Sequence, residues 1–444
     1  MKLIGFLLRL IILVAVAVWL ADQPGNARLV WHGYVIETSA AFLALAVLAV
    51  GYVFYLLFRF WHLLRHGPEQ WRIHRKLKKL RQGQDQLEKG FTAIAGGNAA
   101  EAGRLSLGAR KSLGETTATR LLQAQAAQLA GDHRAAREIF RALAANNDSA
   151  ILGYRGLIME ARREKDWGEV ASLVEKMQRI RRDIPWLDLV RFDLLSRRQE
   201  WQEADLVMAR VIAARLIDPA RAKQYRAAVL VAKSQAEARQ KQANLALQTA
   251  EEAARQSPVW LPAILNLAER QLMAGHMRAA RRTVEKNWET LPHPRLAAIY
   301  RAGHDDALEA YRQIERLCRD NADAPLSRHV LAEAALGADI WGEARRQLIA
   351  LVSRNEATQS VYKLLARLER RETGNEQAAL QWLTKAAEAA PDPVWLCRAC
   401  GGSHEEWLAV CTHCGEFDGL EWQSPGRSRA PRAVMPLLAE SMMD

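Results

Sequence analysis

Residues 131–143 read Gly131-Asp-His-Arg-Ala-Ala136-Arg-Glu-Ile-Phe140-Arg-Ala-Leu143. Ala136, Phe140 and Leu143 are spaced i, i+4, i+7, so on an α-helix they share one face. Gly131 and Asp132 in front supply a turn and an N-cap. The same spacing returns at Ala102/Ser106/Ala109, Val170/Val174/Met177 and Ala204/Met208/Val211. The leading positions 102, 136, 170 and 204 are each 34 residues apart. A fixed interval of this kind marks a repeat architecture.

The pattern resumes after an eight-residue insertion, at Ala246/Ala250/Ala253 and, 34 later, Ala280/Val284. Pro258 and Pro292, also 34 apart, close helices, and looser copies begin at Ala307, Ala344 and Ala379. Trp167, Trp201 and Trp341 each stand three residues before the leading small residue. Thirty-four residues accommodate two helices of roughly 12 to 14 with their turns, and the pattern resembles the tetratricopeptide repeat. The fold class expected is all-α: a tetratricopeptide-like α-solenoid over residues 91–391. Such units bury their faces only against neighbours and leave a groove suited to holding other proteins.

Upstream, Leu10 to Ala21 is wholly apolar and Thr38 to Phe58 carries no charge. About 20 apolar residues span a bilayer core of about 30 Å. A two-helix transmembrane hairpin is therefore expected over residues 1–60, joined by a short outer loop. The chain carries a formal net charge of +12. Eight basic residues between Arg59 and Arg81, against Glu69 alone, concentrate most of it. By the positive-inside rule both termini face the cytoplasm. The basic helix, residues 61–90, is read as a topology signal with affinity for anionic lipid rather than nucleic acid.

Downstream stands Cys397-x2-Cys400-Gly401-x9-Cys411-x2-Cys414-Gly415, within a module placed at 392–422. Two thiolates separated by two residues on a tight turn aim at one point, and two such turns complete a tetrahedron. This predicts a metal site of Cys397, Cys400, Cys411 and Cys414, holding structural zinc, with iron as the alternative, and no open position for chemistry. The spacing resembles zinc ribbons and rubredoxins. Trp395, Trp407, Phe417, Leu420 and Trp422 are expected as its apolar shell, and His404 and His413 as solvated loop residues, with substitution as metal ligands the alternative. The module should cap the solenoid's C-terminal end or present a small partner-binding surface beside its groove. Residues 423–444, rich in Pro, Arg and Ser, read as a disordered tail.

Motifs for catalysis come up short, and no enzyme is expected. Gly103 to Ser112 imitates a phosphate loop, but its Lys111 is displaced by two positions. His304-Asp305-Asp306 reads as a solvated turn and Cys318 as a buried small residue, and a haem contact at the membrane surface is the lesser alternative for His62, His66 and His74 on the basic helix.

A membrane hairpin, a basic helix and a tetratricopeptide-like array together resemble the HemY family of bacterial inner-membrane proteins. That resemblance implies a membrane-anchored, non-enzymatic scaffold in the late steps of haem (porphyrin) biosynthesis, with ferrochelatase and protoporphyrinogen oxidase as partners. No dinucleotide-binding GxGxxG is present, so oxidase activity does not follow from the family name. The repeats and the CxxC…CxxC module also resemble lipopolysaccharide assembly protein B, which has one membrane helix and implies an envelope-homeostasis adaptor instead.

Overall fold

The computed structural model describes residues 25–426 except 33 and 182, together with Ala15, Val18 and Trp19. Those three are helical; the rest of the first apolar segment and the 427–444 tail lie outside the described residues. The chain forms two compact units, residues 1–157 and 158–444.

The first unit opens with an antiparallel ribbon, β1 (Asn26–Trp31) and β2 (Tyr34–Ser39), paired from Asn26↔Ser39 to Trp31↔Tyr34. This corrects the expected loop, and Thr38 belongs to the ribbon rather than to the membrane span. Val, Ile, Tyr, Trp and Thr in these strands favour extended pairing, a signal that counting loop charges does not register. Ser39 caps α1 (Ala40–Ala95), accepting the Phe42 N–H at 3.3 Å. Phe42–Trp61 is the apolar span, with none of it buried inside the protein. Lipid is the environment that relieves that exposure. Span, basic segment and first solenoid helix are one element of 56 residues, about 84 Å at 1.5 Å per residue. Its end packs on α2 (Ala99–Leu113) and α3 (Thr117–Leu129), which is followed by α4 (His133–Ala144).

Helix α5 (Ala150–Arg163) leads into the second unit, where helices continue in pairs. These are α6 (Trp167–Ile180), α7 (Pro185–Arg197) with α8 (Trp201–Ala213), and α9 (Pro219–Arg239) with α10 (Ala243–Gln256). Then come α11 (Leu261–Met273) with α12 (Met277–Asn287), and α13 (Pro294–Arg301) with α14 (Ala307–Cys318). Last are α15 (Pro325–Gly337) with α16 (Trp341–Ser353), and α17 (Gln359–Glu372) with α18 (Glu376–Glu388). First helices α9, α11, α13 and α15 each touch the next first helix, the last of these contacts being with α17, which places the five on the inner side of the stack.

The repeat register is visible in the second helices. α2, α4, α6 and α8 start at 99, 133, 167 and 201, and the leading residues Ala102, Ala136, Val170 and Ala204 are fully buried. Two residues before each second helix except α14, the backbone has positive φ: at Gly97, Gly131 and Gly275, but also at Lys165, Gln199 and Lys241. Asn98, Asp132, Asp166 and Asn375 then cap by accepting an N–H three residues on. The copy read from Ala307 needs correction. α14 begins there, so its leading residue is Ala310, because α13 has shrunk to 8 residues. The eight-residue insertion lies wholly in α9, a helix of 21 residues where α7 and α11 have 13.

Candidate metal centre

Past α18 the chain forms a three-stranded sheet ordered β4-β3-β5, from β3 (Val394–Cys397), β4 (Ser403–His404) and β5 (Leu420–Gln423). Each CxxC turn closes in the same way. Gly401 N–H donates to Cys397 O at 2.7 Å, and the Cys397 N–H to Gly402 O at 2.9 Å. Gly415 N–H donates to Cys411 O at 2.8 Å, and the Cys411 N–H to Glu416 O at 2.9 Å. Gly401 and Gly415 both have positive φ, 72° and 79°. At Gly415 an added Cβ would also meet the Arg197 guanidinium, which would have to shift.

The two turns bring Cys397, Cys400, Cys411 and Cys414 together, all four Sγ atoms within 4.8 Å of one another. Cys397 Sγ to Cys414 Sγ is 3.7 Å and Cys400 Sγ to Cys411 Sγ is 3.8 Å. A tetrahedron with 2.3 Å metal–sulfur bonds has edges of about 3.8 Å. A disulfide needs about 2.05 Å, so these separations fit a metal and not a bridge. Burial pushes the Cys411 thiol up, but amide N–H groups of Cys414 and His413, with His404, outweigh it and bring the thiol below its usual range. Hydrogen bonds to the thiolate are what metal binding at a knuckle exploits. His404 Nε2 is 3.4 Å from Cys411 Sγ, which makes it a sulfur partner rather than a purely solvated residue. His413 is exposed. The four thiolates can therefore hold one metal ion, with zinc and iron equally served by sulfur.

The module does not cap the end of the solenoid. It folds back across first helices from α7 to α13, and the aromatic residues expected as its private shell are its contacts. Phe417 meets Phe192 edge-on at 4.8 Å and Tyr225 at 5.8 Å. Trp407 meets Trp260 at 5.2 Å. Trp395 and Trp422 flank His293 at 6.0 and 4.3 Å. Polar contacts frame them: Gln224 Nε2 donates to Asp418 Oδ2 at 2.8 Å, Arg197 Nη2 to Gly415 O at 3.1 Å, and Arg295 Nη1 to Glu406 Oε1 at 2.8 Å. Fully burying an aromatic or large aliphatic side chain contributes roughly 1.5–3 kcal/mol, so several anchors together hold a module too small for a core of its own.

Two titratable groups are sealed beneath it. Burial pushes the Asp418 carboxyl up to about 7, against Arg398 and the Gln224 hydrogen bond. Burial and Arg295 push His293 down to about 4. His293 Nδ1 accepts the Arg295 N–H at 3.1 Å, so the ring is neutral.

Sequence reasoning missed the receiving side of this contact: Phe192, Arg197, Gln224, Tyr225, Trp260 and His293. One signal pointed there. First helices start about 16 residues before their second helices, whereas α9 starts 24 before α10. Gln224 and Tyr225 thus lie on the two extra turns, and the insertion builds the seat for Phe417 and Asp418. Elsewhere, Asp306 caps α14, His304 Nε2 lies 2.6 Å from Arg281, and Cys318 is buried with its thiol raised to about 11. Gly103 and Ser112 lie within α2. His74 is exposed on α1, where the side chains of His62 and His66 lie outside the described residues.

Residues 25–131 match the family model described as the HemY protein N-terminus, about a quarter of the chain. The chain is 26% identical over 456 residues to the probable magnetosome protein Mms48 of Magnetospirillum gryphiswaldense, covering 97% of this chain and 96% of that protein. Among solved structures, Naa15/Naa10 bound to HypK-THB aligns with a TM-score of 0.45 at 14% identity, over 73% of this chain and 54% of that one. A tetratricopeptide repeat protein from Parabacteroides merdae aligns with a TM-score of 0.30 at 12% identity, over 54% of this chain and 93% of that one.

Proposed function

We propose that this chain is a membrane-anchored, non-enzymatic scaffold acting in the late steps of haem biosynthesis, holding pathway enzymes on its repeat surface. The observation that carries this reading is the HemY N-terminus match over residues 25–131, the stretch that forms the ribbon, the apolar span and the first repeat helices. Two spans with both termini cytoplasmic, in a bacterial inner membrane, complete the proposal. The four-cysteine module is its structural zinc site, with iron as the alternative. Capture of the tagged full chain from its own membranes, at native expression, tests it. Co-purification of ferrochelatase and protoporphyrinogen oxidase is the expected result. Deletion should also raise free porphyrin precursors; unchanged porphyrin pools and capture of unrelated proteins would sink the haem assignment.

One observation favours a second reading, an envelope-homeostasis adaptor resembling lipopolysaccharide assembly protein B: a four-cysteine module docked on tetratricopeptide-like helices. Recovery of lipid A synthesis enzymes or a membrane protease in the same capture would establish it in place of the first.

A further inference from the structure

The second CxxC turn closes one wall of a cleft of ≈ 470 Å³, whose opposite wall comes from α6, α7, α8 and α9. It exists because the module is docked: Leu408 to Gly415 form its module side. Three cationic side chains line it, Lys165, Arg197 and Arg239, and no carboxylate does. Lys165 and Arg239 are exposed and, among the described residues, neither forms an ion pair.

Arg197 is fixed in place. Its guanidinium lies 3.8 Å over the Trp167 ring, its Nε donates to Asp193 at 2.8 Å and its Nη2 to Gly415 O at 3.1 Å. A guanidinium has five N–H donors, so Arg197 keeps donors to spare on an already ordered side chain. Lys165 and Gln199 occupy the same place in consecutive repeats, both with positive φ, 60° and 58°. Glycine fills that place at Gly97, Gly131, Gly275 and Gly374, and Lys241 and Asp339 fill it in two further repeats. Gln199 and Gln235 line it too and can each donate to and accept from a peptide bond.

We propose that this cleft binds an acidic peptide segment of a partner protein, its carboxylates taken by Lys165, Arg197 and Arg239 and its backbone by the amide side chains. The chemistry is that of charge-assisted hydrogen bonds in a partly desolvated seam. Metal site and binding site are then one assembly, because the wall bearing Thr412 and His413 is held in place by the thiolate cluster. The site stands apart from the haem assignment, since it follows from the cleft alone.

The test uses full-length protein in detergent, with a fluorescein-labelled Glu-Leu-Glu-Glu-Leu-Glu peptide followed by anisotropy. Saturable, salt-sensitive binding is expected. Lys165→Glu with Arg239→Glu should weaken it by about tenfold or more, with helical content and metal content unchanged. Arg278→Glu with Lys286→Glu, an equal charge change at exposed positions on α12, should weaken it less than about twofold. No saturable binding, or equal loss with both pairs, would overturn the proposal, the latter marking generic attraction to a chain of net charge +12. Equal competition by free glutamate would overturn the peptide assignment in favour of a small-anion site.

Discussion

Phe417, three residues past the last cysteine, stands edge-on to Phe192 with ring centroids 4.8 Å apart and planes at 89°. The pair joins the metal-binding module to α7, and Tyr225 completes the seat from α9. Thiolate chemistry and solenoid packing are therefore coupled through this contact.

If so, a change far from the cysteines should be felt at the metal. Phe192→Ala removes a ring at 1% exposure, worth about 3 kcal/mol in a packed site. Metal transfer to a chelator should speed up by about tenfold or more, with ellipticity at 222 nm nearly unchanged. An unaltered transfer rate would show the module keeping its metal independently of where it sits.

Cys400→Ser should abolish stoichiometric metal and expose Trp395 and Trp407, each at most 5% exposed. Their emission should shift to the red while the repeats stay helical. In reduced wild-type protein the four cysteines should resist alkylation until chelator is added. Ready alkylation without chelator would mean that the site is empty.

Asp418→Asn should stabilise docking in a pH-dependent way. The docked carboxyl titrates near 7 and the undocked one near 3.8, so the raised value penalises docking increasingly as pH rises from about 4, and fully above 7. Asn keeps an acceptor for Gln224 and tolerates the positive φ of 50° at this position. The advantage of Asn should grow by about 2 kcal/mol between pH 5.5 and 7.5 and then level off. The depressed His293 is common to both proteins and cancels. A constant difference across this range would remove the buried carboxyl from the account.

In the first unit, Ala136→Arg should cost on the order of 3 kcal/mol, since a long cation must enter a fully buried helix contact. Arg134→Ala, on the exposed side of the same helix, should change stability by less than about 0.5 kcal/mol. Equal shifts in the first unit's thermal transition would refute the register.

Reporter fusions after Val30 and after Asp85 should report opposite compartments, the first outside. A signal from the outer compartment at Asp85 would reverse the proposed topology.

The solenoid was legible because a 34-residue interval is a long-range order readable in one dimension: Ala102, Ala136, Val170 and Ala204 need only be counted. The four thiolates were equally plain, since ligand spacing is local. What stayed hidden was where the module rests. Trp407 and Phe417 read as a self-contained shell because nothing in the sequence says that Trp260 or Phe192, well over a hundred residues away, will supply the other half of the contact. Ala307 was misread because the register of α14 depends on the length of α13, and a three-residue slip on a helix keeps the same apolar face. The ribbon at Asn26–Ser39 is hidden in the sequence because a short segment between two apolar runs reads as a loop until its strand-favouring residues are paired across it.

The two extra turns of α9 turn the array into a measuring stick for its own history. Inserted length there is useful only to a chain that has something to seat on Gln224 and Tyr225. Relatives without the paired cysteines should revert to the common interval between α8 and α10, and relatives with them should keep the longer one. The spacing of two helices in mid-chain would then announce the presence or absence of a metal almost two hundred residues further on.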